Sequence, residues 1–408
     1  MTNSTQPPPD LSCTQDLFKY TYNEQQRFRE RERRFDVTEL QRLAAEAVAR
    51  KVEDILSISK LGEGAGNRAF VIRFRNDFKL VARIPYPVTE PRQQLVANTD
   101  TEAVLNAGAE KEIKYLARYG RPLFPFNRMQ REIFNLEKQQ PSVHVDSLRK
   151  YLQISSSLIP EGSRELIRPI LRHPDLRPSN IFVSDDYEIT SLIDWQSTTA
   201  LPLFLHTGIP DNLDNSVDPV SRSLETPRMP DGLSASDEDS RLEQLELFHK
   251  RHLHYLYITE TSKRNRIHYE ALTLPFSVGR RKLYDLSSAP WQGDNIPLRS
   301  SLMFMRQQWL QIAARPDVPC PIAFAEEEEQ ACFRLDELER EVAEQLRGSM
   351  EMLGLGPEGW VSSDNYEAAK EAIGRMKEMC LEQAETECEK TAIKDHWVYD
   401  DMDEDEYL

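Results

Sequence analysis

The sequence predicts an α+β chain in two lobes: a small antiparallel β lobe, a large helical lobe, and a helical acidic C-terminal extension. Three observations carry this. Residues 55–85 contain short apolar-rich runs of strand character around a glycine-rich turn. After residue 99 amphipathic stretches with apolar residues three and four apart dominate. The charge is also unevenly divided. Of 68 acidic and 51 basic residues, residues 326–408 hold 26 and 8, so the formal net charge of −17 belongs to the last fifth and the first 325 residues are near neutral.

A chain of 408 residues predicts two to three domains at roughly 150 residues each. The hydrophobic fraction is 39% and the mean hydropathy −0.60, so part of the chain is solvated polar segment. No stretch approaches the roughly 20 apolar residues of a membrane helix, and no membrane span is expected. Net acidity argues against a nucleic-acid partner, since nonspecific binding rests on Lys and Arg neutralising phosphates. Five cysteines, odd in number and without a CxxC pair, read as reduced thiols. The first 15 residues hold several prolines and no Lys or Arg, which matches neither a secretory signal nor an Arg-rich transit peptide.

In chain order, residues 1–14 read as a disordered lead and 15–54 as a helical segment, with Asp36 or Thr38 as a cap within it. Residues 55–105 read as the small lobe: ILSISKL, a glycine turn, AFVIRF and FKLVARI form an antiparallel meander, with Asn76-Asp77 as its last turn. Residues 106–325 read as the large lobe. Helices are expected up to Gly120, over about 127–140, and from Val143 to Ile154. Two strands, 181–183 and 189–193, follow around Asp185-Asp186. Residues 207–240 read as a long loop and 238–272 as helix. Residues 326–408 read as two helices and an acidic tail. The stripe Leu335, Leu338, Val342, Leu346, Met350 and Leu353 is expected to pack within the chain. The tail is expected to solubilise or to face a protein partner.

The strongest chemical signal is His173-Pro174-Asp175-Leu176-Arg177-Pro178-Ser179-Asn180, then a hairpin, then Ile193-Asp194-Trp195. Phosphoryl transfer needs a carboxylate to orient and deprotonate the acceptor hydroxyl, and metal ions to neutralise the triphosphate. Asp175 suits the base. Asn180 and Asp194 supply the oxygen ligands that Mg2+ takes, and the hairpin turns them back toward one site. Arg177 could screen charge developing on the transferred phosphate. His173 reads as a hydrogen-bonding strut. The second signal is Gly62, Gly64 and Gly66 ahead of Asn67: three of only 15 glycines fall within five residues between two strands. Glycine lets backbone N–H groups approach a phosphate without a Cβ in the way. His249, His252 and His254 lack acidic or Cys partners at matching spacing and read as a helix face.

These stretches resemble the aminoglycoside phosphotransferase/choline kinase branch of the protein-kinase-like fold. The loop matches its H-G-D-L-H-P-G-N pattern, Ile193-Asp194-Trp195 its I-D-W, and Gly64-x-x-Asn67-x-x-Phe70 its G-x-x-N-x-x-F turn. More narrowly, NEQQRFRERERRFDVTEL, LVARIPYP, SLIDWQ, GPEGW and the DDMDEDEYL ending are similar to the fungal altered inheritance of mitochondria protein 9 group. The resemblance implies a bilobal kinase-like fold, ATP and Mg2+ as cofactors, a small-molecule acceptor, and a mitochondrial location, with a cytoplasmic one as the alternative. It assigns phosphate contact to Arg83, in V-A-R where the pattern has lysine; Arg is bulkier and not equivalent. It assigns that residue's partner to Glu102, or else Glu90. Between 103 and 160 no strand pair or apolar hinge is visible, so the small lobe is predicted incomplete and ATP binding weak. The alternative reading is a catalytically inactive pseudokinase that serves as a scaffold.

Overall fold

A computed structural model describes residues 18–31, 35–63, 67–76, 78–85, 100–128, 130–195, 198–229, 238–313, 318–356 and 359–401. The fold is mixed helix and strand, predominantly helical, with small antiparallel sheets. It divides into two units, residues 1–92 with 340–408, and residues 93–339.

In the first unit, β1 (Phe18–Tyr20) precedes α1 (Glu24–Arg31) and α2 (Val37–Ala47). Asp36 is the cap of α2: its Oδ1 accepts from the backbone N–H of Thr38 at 2.8 Å and Glu39 at 3.2 Å. Strands β2 (Ile55–Glu63), β3 (Asn67–Phe74) and β4 (Lys79–Pro85) form the antiparallel meander in the order β2-β3-β4. Asn76, at φ 66°, turns the chain between the last two. Ile58, Phe70, Ile72 and Phe74 are buried with Ala44 and Ala45 of α2, so the helix covers one sheet face.

The second unit opens with α3 (Thr101–Tyr119), capped by Asp100 and ended at Gly120. α4 (Gln130–Ile133) is a single turn; the helix predicted over 127–140 does not form. Asn135 and Leu136 take φ of 53° and 57°, a left-handed conformation that a right-handed helix cannot continue through. α5 (Pro141–Ile154) lies on α3 and contributes Leu148, Tyr151 and Ile154 to the largest core cluster, which also buries Ala109, Leu283 and Leu302. α6 (Arg164–Ile167) leads to β5 (Pro169–Leu171), β6 (Ile181–Val183), β7 (Ile189–Leu192) and β8 (Ala200–Pro202). β5 pairs with β8 and β6 with β7, both antiparallel. α7 (Pro219–Ser223) interrupts the predicted long loop. α8 (Glu238–Arg264), α9 (Arg266–Leu272), α10 (Ser277–Ser288), α11 (Ile296–Gln307) and α12 (Trp309–Ile312) complete the helical mass. Among the described residues between 103 and 160, strand-like pairing amounts to one bridge, Leu123 with Gln139.

α13 (Glu326–Leu353) packs Cys332 onto Ile296 and Met303 of α11. Its Glu339 is 7% exposed, carries an Oε1 with no hydrogen-bond partner among the described residues, and lies close enough to Asp294 and Asp336 to feel both carboxylates. Burial and those two carboxylates push the Glu339 carboxyl well above the ordinary range. Back in the first unit, β9 (Trp360–Ser362), α14 (Tyr366–Gln383) and α15 (Glu387–His396) close the chain. Leu346, Met350 and Leu353, the end of the predicted stripe, pack there against the cluster of Leu355, Val361, Ala369, Ile373 and Tyr399.

The predicted N-terminal helical segment requires correction, because Phe18–Tyr20 is a strand. It pairs antiparallel with β9, Lys19 opposite Val361. Thr21 Oγ1 donates to the Gly359 carbonyl at 2.9 Å, and Lys370 Nζ to the Thr21 carbonyl at 2.8 Å. Three residues are too few to display a period, and the pairing partner lies some 340 residues away. Among the described residues four cysteines are free, and no helix is long and apolar enough to cross a membrane.

Candidate functional site

The loop after β5 is shaped by its own backbone. The Arg177 N–H donates to the Asp175 carbonyl at 3.1 Å and the Asn180 N–H to the Arg177 carbonyl at 2.9 Å. Pro178, with φ fixed by its ring, starts a single 3-10 turn over Pro178–Asn180. The β6–β7 hairpin then reverses the chain, and the Ile193 N–H donates to the Asn180 carbonyl at 3.0 Å. Asn180 and the Ile193-Asp194 step are thereby neighbours. Asp194 takes φ 71°, a left-handed conformation that costs a non-glycine residue about 1–2 kcal/mol.

His173 holds the two segments together. It is buried, and its Nδ1 accepts from the Asp175 N–H at 3.2 Å. Nε2 therefore carries the proton and donates to the Ile193 carbonyl at 2.7 Å. The ring meets Trp195 edge-on, centroids 4.8 Å apart, and the Trp195 indole N–H donates to the Leu192 carbonyl at 3.2 Å. One imidazole thus fixes the spacing between the base segment and the Asp194 segment.

The Asp175 carboxylate accepts from Arg177 Nε at 2.6 Å and from Asn180 Nδ2 at 3.3 Å. Asn180 Nδ2 also donates to the Asp175 carbonyl at 2.9 Å. The Arg177 guanidinium is held above its ordinary pKa by this bond to Asp175, with Asp211 and Asp194 adding to it. The Arg177 and Asp175 side chains are 60% and 42% exposed, so solvent weakens the pair and it yields readily to a ligand. Both amide N–H contacts of Asn180 go to Asp175, which leaves its amide oxygen as the end available to a cation. That oxygen and the half-buried Asp194 carboxylate are hard ligands of the kind Mg2+ takes. Among the described residues no three or more His, Cys, Asp or Glu side chains group as a metal site.

The other residues singled out from sequence are distributed as follows. Gly62 lies in β2 opposite Ala69, just after a register shift. Gly64, Gly66 and Glu90 lie outside the described residues. Asn67 opens β3 opposite Pro85, and Arg83 lies in β4 opposite Ala69. Glu102 is exposed in the first turn of α3, its N–H bound to the Asp100 carboxylate at 3.1 Å. Arg83 and Glu102 fall in different units. Asp175, Arg177, Asn180 and Asp194 are brought together in the second unit, and the site is built from that unit alone. Of the three α8 histidines, His254 is buried and accepts from the Asn215 N–H at 3.1 Å, and His252 stacks on Phe248.

Sequence reasoning missed the far part of the site. Asp175 and Arg177 line a cleft of about 780 Å³ that also holds Arg172, His206, Gly208 and Arg281. Arg172 Nη1 donates to the His206 carbonyl at 2.6 Å and Nη2 to the Gly208 carbonyl. Arg281 Nη1 donates to the Thr207 carbonyl. His206 donates from Nε2 to the Thr199 carbonyl at 2.8 Å; burial first, then Arg172 and Arg281, push its pKa below the ordinary value. Arg281 comes from α10, more than a hundred residues after Arg172, and no spacing rule links them.

No family model matches the chain. Among curated proteins it is similar to subtelomeric hrmA-associated cluster proteins from two strains of Aspergillus fumigatus, each 29% identical over 311 residues. The match covers 74% of this chain and 58% of each relative, so the chain spans less than two thirds of the length of the curated relatives it matches. These relatives do not carry the altered inheritance of mitochondria name that the sequence motifs led us to expect. Among solved structures the chain is similar to a macrolide 2'-phosphotransferase type I at 12% identity, covering 70% of this chain and 100% of that one. The TM-score is 0.18, a likeness that carries no argument of its own, so the function is argued from the site.

Proposed function

We propose that the chain is a kinase-like phosphotransferase that moves the terminal phosphoryl group of ATP to a hydroxyl of a small molecule. The observation that carries this reading is the coupling of Asp175, Asn180 and Asp194 through His173 at the edge of a 780 Å³ cleft. Asp175 accepts the proton of the acceptor hydroxyl as its oxygen attacks phosphorus. Arg177, released from Asp175, screens the charge of the transferred group. Asn180 Oδ1 and the Asp194 carboxylate would hold Mg2+. When bound, that ion neutralises the phosphates and orients them. The glycine turn and Arg83 are assigned to the nucleotide phosphates on the strength of the sequence resemblance. That resemblance also supports a mitochondrial location, which imaging of the tagged protein outside mitochondria would overturn.

A second reading, a non-catalytic scaffold, is favoured by one observation: the carboxylate of the base is engaged by Arg177 at 2.6 Å. The two are separated by phosphate transfer from labelled ATP to a panel of hydroxyl compounds. Asp175→Asn should lower transfer by about 100-fold or more at little-changed melting temperature, since the side chain is only half-buried and an amide of the same shape replaces it. Equal transfer by the variant excludes Asp175 as the base. No transfer by the unmodified chain, to any acceptor, leaves the scaffold.

A further inference from the structure

The cleft beside Asp175 contains two guanidinium groups whose hydrogen-bond partners are neutral. Arg172 binds the carbonyls of His206 and Gly208 and reaches the Tyr257 hydroxyl at 3.4 Å. Its remaining neighbour is His268 Nε2 at 3.5 Å, on an imidazole that burial and Arg172 together push down to about 4 and hold neutral. Arg281 binds the Thr207 carbonyl, between the two carbonyls taken by Arg172. Three consecutive carbonyls therefore hold two cations side by side on one cleft wall.

Two guanidinium groups held against the same three half-buried residues repel unless an anion accompanies them. The carboxylates of the cleft go to Arg177 and Arg281 rather than to Arg172. Asp175 is bound to Arg177, and Asp211 also acts on Arg177. Asp285, one turn along α10 from Arg281 and in the same cleft lining, attracts Arg281 and balances part of its charge. Among the described residues Arg172 has no carboxylate partner. Backbone shape keeps the arrangement open: a Cβ on Gly208 would stand 2.3 Å from Arg281 Nη1.

We propose, on the basis of the phosphotransferase reading above, that the acceptor is an anionic hydroxy compound whose carboxylate or phosphate group is bound by Arg172 and Arg281 while its hydroxyl is offered to Asp175. Guanidinium groups match both anions with paired N–H donors. The same wall repels polycationic acceptors.

The test is calorimetric binding to the full chain at low salt, without nucleotide, using D-glycerate, glycerol 3-phosphate, choline and kanamycin as probes. The expected result is binding of at least one anion and of neither cation, and the better of the two anions tells carboxylate from phosphate. Arg281→Gln, which gives up one carbonyl bond, should weaken anion binding tenfold or more, and Arg281→Lys, which keeps the charge and guards against misfolding, should weaken it less. Failure of both anions to bind, equal binding to Arg281→Gln, or preference for choline or kanamycin overturns the proposal. Asp175→Asn should still bind the anion. A chain that binds anions through Arg281 yet never transfers phosphate would refute the enzymatic reading and leave the anion site standing.

Discussion

His173→Phe tests whether one imidazole holds the base loop to the Asp194 segment. The substitution keeps a flat ring of similar size, so the edge contact with Trp195 at 4.8 Å survives. It removes the bond to the Ile193 carbonyl at 2.7 Å and the bond from the Asp175 N–H at 3.2 Å. Each such bond is worth about 1 kcal/mol net, and the orphaned Ile193 carbonyl adds a desolvation cost of similar size. Local opening of the loop should therefore become easier by about 2–3 kcal/mol. At 1.4 kcal/mol per factor of ten, amide hydrogen exchange over residues 171–195 should speed up by about 30- to 140-fold, with exchange in α5 and α11 little changed. His173→Asn, whose amide oxygen can stand in for Nδ1, should keep the Asp175 bond and show roughly half the free-energy effect. Exchange within threefold of the unmodified chain in His173→Phe would refute the strut.

Other consequences follow from groups away from the loop. The Glu339 carboxyl is raised above its unfolded value, so the folded chain keeps a proton that the unfolded chain releases once the pH passes the usual glutamate range near 4.5. Stability from this group is then complete at acid pH and falls as pH rises toward the folded value. Glu339→Gln should match the unmodified chain in urea at pH 4 and exceed it at pH 8.5 by up to about 4 kcal/mol, and parallel pH profiles would contradict this. Gly293→Ala should destabilise by about 2–4 kcal/mol, read as a lower melting temperature. The residue sits at φ 80°, and a Cβ there would meet the Phe124 carbonyl oxygen at 2.2 Å, so an unchanged melting curve would disprove the packing. Mg-ATP should bind more weakly than micromolar by calorimetry, given that the described residues between 103 and 160 pair as strands only at Leu123 and Gln139; a micromolar constant would show that the hinge is made by other residues.

Local features were readable from sequence. The meander of β2, β3 and β4, the Asp36 cap, the β6–β7 hairpin and the loop from His173 to Asn180 all pair residues no more than about twenty positions apart. The apolar period over 127–140 misled because two left-handed residues, Asn135 and Leu136, outweigh it, and neither is a glycine to announce the break. The Phe18–Tyr20 strand was hidden because its order comes from Trp360–Ser362. The guanidinium wall was hidden for a related reason. Arg172 and Arg281 meet through backbone carbonyls, which every residue possesses, so side-chain chemistry left no trace of the meeting.

The pairing of β1 with β9 also sets a clock on synthesis. The Thr21 hydroxyl must wait for the Gly359 carbonyl, 338 residues later. At about 5–20 residues per second, that wait lasts roughly 20 to 70 s. During it Tyr20, 2% exposed in the finished fold, has no strand to cover it, while all of residues 93–339 emerge and can collapse. A nascent chain stalled before residue 360 should therefore already protect the Asp175 loop from protease and still be cut near Tyr20. The order in which the ribosome releases the chain gives the loop around Asp175 its shape before the two distant ends of the sequence meet.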